Sequence, residues 1–131
     1  MYKKASKYYA NTYLIVYLRL TNKMAYSKIT SFEIKDQEIA MYAKSLGHPA
    51  RIAILKILAK YGASMCGEIV AELPLSQSTV SQHLKELKTV GLIKGKQDGP
   101  AVSYSINKKK LAKAQKRLDK FFSKINLKLA E

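Results

Sequence analysis

Ser76-Gln-Ser-Thr-Val-Ser-Gln-His-Leu-Lys-Glu-Leu-Lys-Thr-Val90, closed by Gly91, is the stretch on which the fold turns. Val80, Leu84, Leu87 and Val90 recur at the three- and four-residue spacing that lines one face of an α-helix. The spacing predicts a helix over Gln77–Val90, with the Ser76 hydroxyl as its N-cap and Gly91 as its C-terminal stop. The apolar stripe leaves Gln77, Ser78, Ser81, Gln82 and Lys85 on the opposite face. Short hydroxyl and amide side chains are the groups that meet base edges in a major groove, glutamine suiting adenine and serine being permissive. The competing reading of that face is an ordinary solvated helix side.

Upstream, residues 66–73 form a short helix stopped by Pro74, so the order is helix, tight turn, helix. Before it, Phe32, Ile39, Tyr42, Ala43 and Leu46 mark a first helix ended by Gly47. His48-Pro49 opens a second, proline being tolerated where its missing N–H would have no partner. Ile52, Ile54, Leu55, Ile57 and Leu58 make that helix apolar over most of its circumference, which predicts the central core element, closed by Gly62. Downstream, residues 92–96 and 102–106 bracket a Gln97-Asp98-Gly99-Pro100 turn, and Val102, Tyr104 and Ile106 alternate with Ser103 and Ser105 as in a half-buried hairpin strand. Residues 107–130 form a long amphipathic helix with Leu111, Ala114, Leu118, Phe121, Phe122, Ile125 and Leu129 on one side. The predicted architecture is mainly α with a small β-hairpin, α-α-α-α-β-β-α, a winged helix-turn-helix. Its parts are a basic extension of no assigned structure (residues 1–30), the winged domain (31–107) and a terminal helix (108–131).

A terminal apolar stripe beyond what a small core uses exposes more apolar surface than a soluble monomer usually tolerates. A homodimer resolves this, with Leu111, Leu118, Phe121, Phe122 and Ile125 meeting a second copy together with Phe32 and Ile39 of the first helix. The alternative is a helix folded back on its own core.

The wording of the chain resembles the ArsR/SmtB family of bacterial winged helix-turn-helix repressors. The resemblance rests on Lys44-Ser-Leu-Gly-His-Pro-Ala-Arg51, Gly67-Glu-Ile-Val70, Leu75-Ser-Gln-Ser-Thr-Val-Ser-Gln-His-Leu-Lys-Glu-Leu87 and Gly91-Leu-Ile-Lys-Gly95, and covers about residues 32–107. It implies a repressor that binds double-stranded DNA as a homodimer, with an inducer, small molecule or metal, that the sequence does not name. Gln77, Ser78, Ser81, Gln82 and Lys85 then read bases, Ser76 and Thr79 divide between capping and phosphate contact, and Lys88, Lys94 and Lys96 hold the sugar-phosphate backbone. His83, beside the apolar stripe, either touches DNA or packs on the helix surface. Metal-sensing relatives carry Cys-x-Cys at the start of the third helix; here the stretch is Ser64-Met65-Cys66, so one thiolate remains where a soft metal needs two or three. Others place Asp and His ligands on the terminal helix, which here offers Asp119 and no histidine. Cys66 is therefore a buried structural cysteine or, failing that, a sensor thiol.

Composition agrees. Lysine and arginine total 24 against 9 acids in 131 residues, a net +15 that suits a polyanionic partner, although lysines kept for solubility look similar. The excess sits at the ends: residues 1–30 hold six bases and no acid, residues 31–106 nine and seven, residues 107–131 nine and two. A single cysteine excludes an internal disulfide and suits a reducing cytoplasm, and with only His48 and His83 beside it no four-ligand Cys/His zinc site fits one chain. No metal and no cofactor are expected.

No apolar run nears the ~20 residues of a membrane span. Residues 14–20 imitate a signal peptide's apolar stretch behind Lys3, Lys4 and Lys7, but they are few and broken by Arg19. Met24-Ala25-Tyr26-Ser27 resembles an ordinary protein start, so residues 1–23 are a candidate upstream extension.

An enzyme is the weakest class, there being no glycine-rich phosphate loop and no serine-histidine-acid set with a recognised elbow. A sequence-independent nucleic-acid binder is the stronger rival, and a winged-helix protein-interaction module the third.

Overall fold

Two helices meeting at a glycine open the structure, a computed structural model describing residues 31–131. Helix α1 spans Ile34–Leu46 and α2 spans Pro49–Tyr61. His48 caps α2: its Nδ1 accepts the Ala50 N–H at 3.1 Å, while Pro49 takes the first turn. There follow β1 (Ser64–Met65), α3 (Cys66–Ala71), α4 (Gln77–Val90), β2 (Ile93–Asp98), β3 (Ala101–Ile106) and α5 (Lys108–Leu129). The residue 1–30 extension, with its apolar stretch and the Met24 start, lies outside the described residues.

The winged helix-turn-helix is present, with one element beyond the predicted order. Strand β1 pairs antiparallel with β3, Ser64 opposite Tyr104, giving a three-stranded sheet β1-β3-β2 rather than a lone hairpin. Two residues carry no alternation of their own; their strand exists only because β3 offers a free edge. Strands β2 and β3 turn over at Gly99, whose φ of 58° is a left-handed conformation that glycine adopts without strain.

Helix α4 buries a longer apolar stripe than α2. Its Val80, Leu84, Leu87 and Val90 are at most 1% exposed, whereas α2 buries Ala50, Ile54 and Leu58 and leaves Ile52 38% exposed. Helix α2 still belongs to the core, with Leu55 and Ile57 packed against it; only Ile52 of its predicted apolar residues meets solvent. In α1 the core side is Met41 and Tyr42, while Ala43 is exposed.

Helix α5 is pinned at its start. Asn107 donates its N–H to the Leu92 carbonyl at 2.9 Å and caps α5 by accepting the Lys110 N–H on Oδ1. Leu111 packs against the core and Ala114 is buried in it. Beyond that the helix runs along α1, where Glu38 is buried between Lys113, 3.0 Å from its Oε1, and Arg117, whose Nε lies 2.9 Å from Oε2. From Phe121 onward every α5 residue is exposed.

Candidate nucleic-acid interface

Helix α4 is fixed at both ends. Ser76 Oγ accepts the Thr79 N–H at 3.3 Å and lies 2.8 Å from Thr79 Oγ1 and 3.1 Å from Ser78 Oγ, so the three hydroxyls form one cluster over the first turn. At the other end Gly91 adopts φ 85° and donates to the Lys88 carbonyl, and Leu92 donates to Leu87. Leu87 and Leu92 are both fully buried, completing the apolar contact of this left-handed cap. Each buried apolar side chain of α4 contributes about 1.5–3 kcal/mol of transfer free energy, so the helix cannot roll without exposing its stripe.

That anchoring turns a defined set outward. Ser76, Gln77, Ser78, Thr79, Ser81, Gln82, Lys85 and Lys88 are exposed, whereas His83 is half-buried. Ser78, Ser81, Gln82, Lys85 and Lys88 line a shallow groove of about 420 Å³ together with Tyr104 of β3. Tyr104 escaped sequence reasoning because its alternation marked it only as a half-buried strand residue. Lys88 reaches across Gly95: a Cβ there would lie 3.2 Å from Lys88 Nζ and 3.2 Å from Val102 Cγ1.

Lys94 and Lys96 stand apart. Their partners are Ser105 and Ser103, on the sheet face opposite that of Ile93, Gly95, Tyr104 and Ile106. Both are exposed, so the structure groups Lys88 with the outward face of α4 and places the two hairpin lysines on the far side of the wing.

His83 belongs to a cluster that sequence periodicity did not reveal. Its ring lies 4.3 Å from that of His48, and Arg51 Nη1 is 3.5 Å from its Nδ1. Arg51 also donates to the carbonyls of Ser45 and Lys44, a cation at the C-terminal end of α1 where the helix dipole favours it. Partial burial, then the neighbouring His48 and Arg51, hold the His83 imidazole below its ordinary range against the opposing pull of Glu86. Cys66 is half-buried at the start of α3, and burial pushes its thiol up, away from the reactive thiolate. Among the described residues no three His, Cys, Asp or Glu side chains are grouped as metal ligands, and no helix is long and apolar enough to cross a membrane.

The residues predicted to pair two copies divide. Phe32, Phe121, Phe122 and Ile125 are exposed, at 66%, 37%, 57% and 42%. Ile39, Leu111 and Leu118 are half-buried, Leu111 against the protomer's own core. A groove of about 740 Å³ between α1 and α5 includes Ile39, Phe121 and Ile125 in its lining.

Comparison with known proteins matches these features. Residues 48–94, from the α2 cap through α4 into β2, match the family described as bacterial regulatory protein, arsR family. An uncharacterized HTH-type transcriptional regulator of Methanocaldococcus jannaschii is 38% identical over 65 residues, 50% of this chain and 73% of that protein. The transcriptional repressor PagR of Bacillus anthracis is 37% identical over 84 residues, 64% of this chain and 82% of that protein. Mycobacterium tuberculosis Rv0081, an uncharacterized HTH-type transcriptional regulator, is 37% identical over 67 residues, 51% of this chain and 59% of that protein. Its crystal structure superposes with a TM-score of 0.56 at 29% identity, over 76% of this chain and 100% of that one. With the helix-turn-helix, the wing and these similarities in agreement, the chain belongs to the arsR family of bacterial regulatory proteins: it is a winged helix-turn-helix, DNA-binding transcriptional regulator.

Proposed function

We propose that the protein is a homodimeric repressor that binds a palindromic operator through α4 and leaves it on binding an inducer. The observation that carries this reading is the outward face of α4. Gln77, Ser78, Ser81, Gln82 and Lys85 are exposed on a helix whose opposite stripe is wholly buried, so they are free for base edges at fixed positions. Lys88 borders the same groove and supplies a phosphate contact, Ser76 and Thr79 hold the helix start toward the backbone, and Lys94 and Lys96 contact phosphate from the wing's other face. His83 acts chiefly in packing, tied to His48 and Arg51.

Pairing uses Phe32, Phe121, Phe122 and Ile125, with Ile39 and Leu118 at the edge of that surface. Two copies joined there present two α4 helices to successive major grooves roughly 34 Å apart, and the operator is an imperfect palindrome. Repression is supported by the similarity to PagR, a protein named as a transcriptional repressor. Cys66, shielded and alone, is a structural residue rather than the sensor, which leaves the inducer's chemistry to a surface other than a thiolate cage. The cytoplasm is the compartment this activity requires.

Selection of bound sequences from a random duplex pool, followed by footprinting, tests the reading. Enrichment of one palindromic motif with a discrete footprint supports it; uniform binding without enrichment refutes it in favour of a sequence-independent binder. Arsenite or zinc that releases operator at micromolar concentration would overturn the structural role of Cys66.

A further inference from the structure

Helix α5 carries a second charged surface that the reading helix does not use. Lys109, Lys113, Lys116, Lys120 and Lys124 follow one another at steps of four, three, four and four residues, which places them along one side of the helix over about 22 Å. Lys109, Lys116, Lys120 and Lys124 are exposed, and a groove of about 380 Å³ runs between Lys113, Lys116, Arg117 and Lys120. Helix α1 packs against both α4 and α5.

The ridge is poorly neutralised. Glu38 engages Lys113 and Arg117, and Glu131 engages Lys128, but among the described residues no ion pair reaches Lys109, Lys116, Lys120 or Lys124. The nearby acids are Asp119 on α5 itself and Glu33 and Asp36 of α1, which border the groove that also holds Lys120 and Lys124; none lies within ion-pair distance of them. Residues 1–30 hold six bases and no acid, so they bring no carboxylate to it. Like charges four residues apart destabilise a helix, and Lys109 with Lys113, Lys116 with Lys120, and Lys120 with Lys124 all stand so. Crowding is visible at Lys110, whose ammonium is held below its ordinary range first by burial and then by Lys113, with Lys109 adding to it and Glu38 opposing.

We propose that this lysine ridge of α5 binds the phosphate backbone of a second segment of duplex DNA, so that one protein bound at an operator through α4 also tethers another duplex. Three features favour duplex DNA. The ammonium groups repeat along a line, as phosphates do along a strand. All five ridge residues are lysines, point charges without the planar fork that reads guanine, so the contact is independent of sequence. No aromatic residue stands in the ridge, where unpaired bases would need one to stack on. That this duplex is a second one rests on the α4 reading; the ridge itself does not.

The test uses the full chain and two duplexes. An immobilised duplex chosen from the random-pool selection is saturated with protein, and capture of a fluorescent random-sequence duplex is measured at 50 mM salt. Wild type is expected to capture it, with capture about a hundredfold weaker at 200 mM salt for four phosphate contacts. Replacing Lys109, Lys116, Lys120 and Lys124 together by glutamine, which keeps helix propensity, is expected to reduce capture at least tenfold while operator affinity changes less than twofold. The same four positions changed to arginine retain capture, and the double change Lys116→Gln with Lys120→Gln gives an intermediate loss should the quadruple variant fail to fold. Equal capture by wild type and the glutamine variants overturns the proposal, as does wild type that holds poly-glutamate as tightly as duplex. If no operator emerges from selection, the α4 reading fails separately; the ridge is then scored by random-duplex binding to protein immobilised through a terminal tag, where the glutamine variants must still be the weaker.

Discussion

Helices α4 and α5 are both amphipathic, yet they resolve their apolar faces in opposite ways. In α4 the four stripe residues are at most 1% exposed, and what remains outside is serine, threonine, glutamine and two lysines, held in place by a hydroxyl cap and a left-handed glycine. In α5 a single residue, Ala114, is buried, and Phe122 and Leu129 stand 57% and 79% exposed. Helix α4 completes its packing inside one protomer, whereas α5 has apolar surface left over, the surface on which the proposed pairing rests. An apolar period alone does not tell a core helix from an assembly helix, because the distinction lies in what else the fold brings to the stripe.

The contrast breaks most severely at the α4 stripe. Leu87→Ala is expected to cost about 2–5 kcal/mol, since it opens a cavity among fully buried neighbours, and chemical denaturation would show it as a large fall in midpoint. Phe122→Glu, by contrast, should leave protomer stability nearly unchanged while analytical ultracentrifugation finds a monomer; loss of the paired half-site then lowers operator affinity roughly a hundredfold. A folded dimer from this variant would remove α5 from the pairing surface.

A finer division lies within the proposed DNA contacts. Gln82→Ala is expected to lower specific affinity by about 1–3 kcal/mol and relax sequence preference, whereas Lys94→Ala weakens operator and random DNA alike and flattens the salt dependence. Equal losses on both DNAs for both variants would erase the distinction.

The smallest effect concerns acid. His83 is held below its ordinary range, so its neutral form is favoured by folding. Its contribution to stability is complete above about pH 6.5, the value for an unfolded chain, and is lost as the pH falls from there towards the folded value. His83→Gln should therefore melt with less acid sensitivity than wild type between pH 7.5 and 5.5; parallel melting curves would show that His83 makes no contribution to acid sensitivity.

Much of this was legible in the order of residues. The α4 stripe, the Ser76 cap and the Gly91 stop are local signals, and the predicted helix coincides with the observed one. What escaped was non-local. Strand β1 depends on β3, some forty residues further along, and has no period of its own. Glu38 is an acid that pattern reasoning leaves in water; its burial is set by Lys113 and Arg117 from the far end of the chain. The His48–His83–Arg51 contact likewise joins α2 to α4 across the fold, and Ile52 is exposed because no element covers its side of α2. The outward positions of α4 could be listed from sequence, but that Lys88 joins them and Lys94 and Lys96 do not required the strand register.

Gly95 gives that register an unexpected reach. The position looks permissive: it lies on an edge strand, is half-exposed and has no special φ. Yet a methyl group there would press on Val102 and on the ammonium of Lys88, and of the two the long lysine side chain is the easier to displace. An uncharged substitution on the wing would thus re-aim a cation on the neighbouring helix, altering the electric field that DNA meets without adding or removing a single charge.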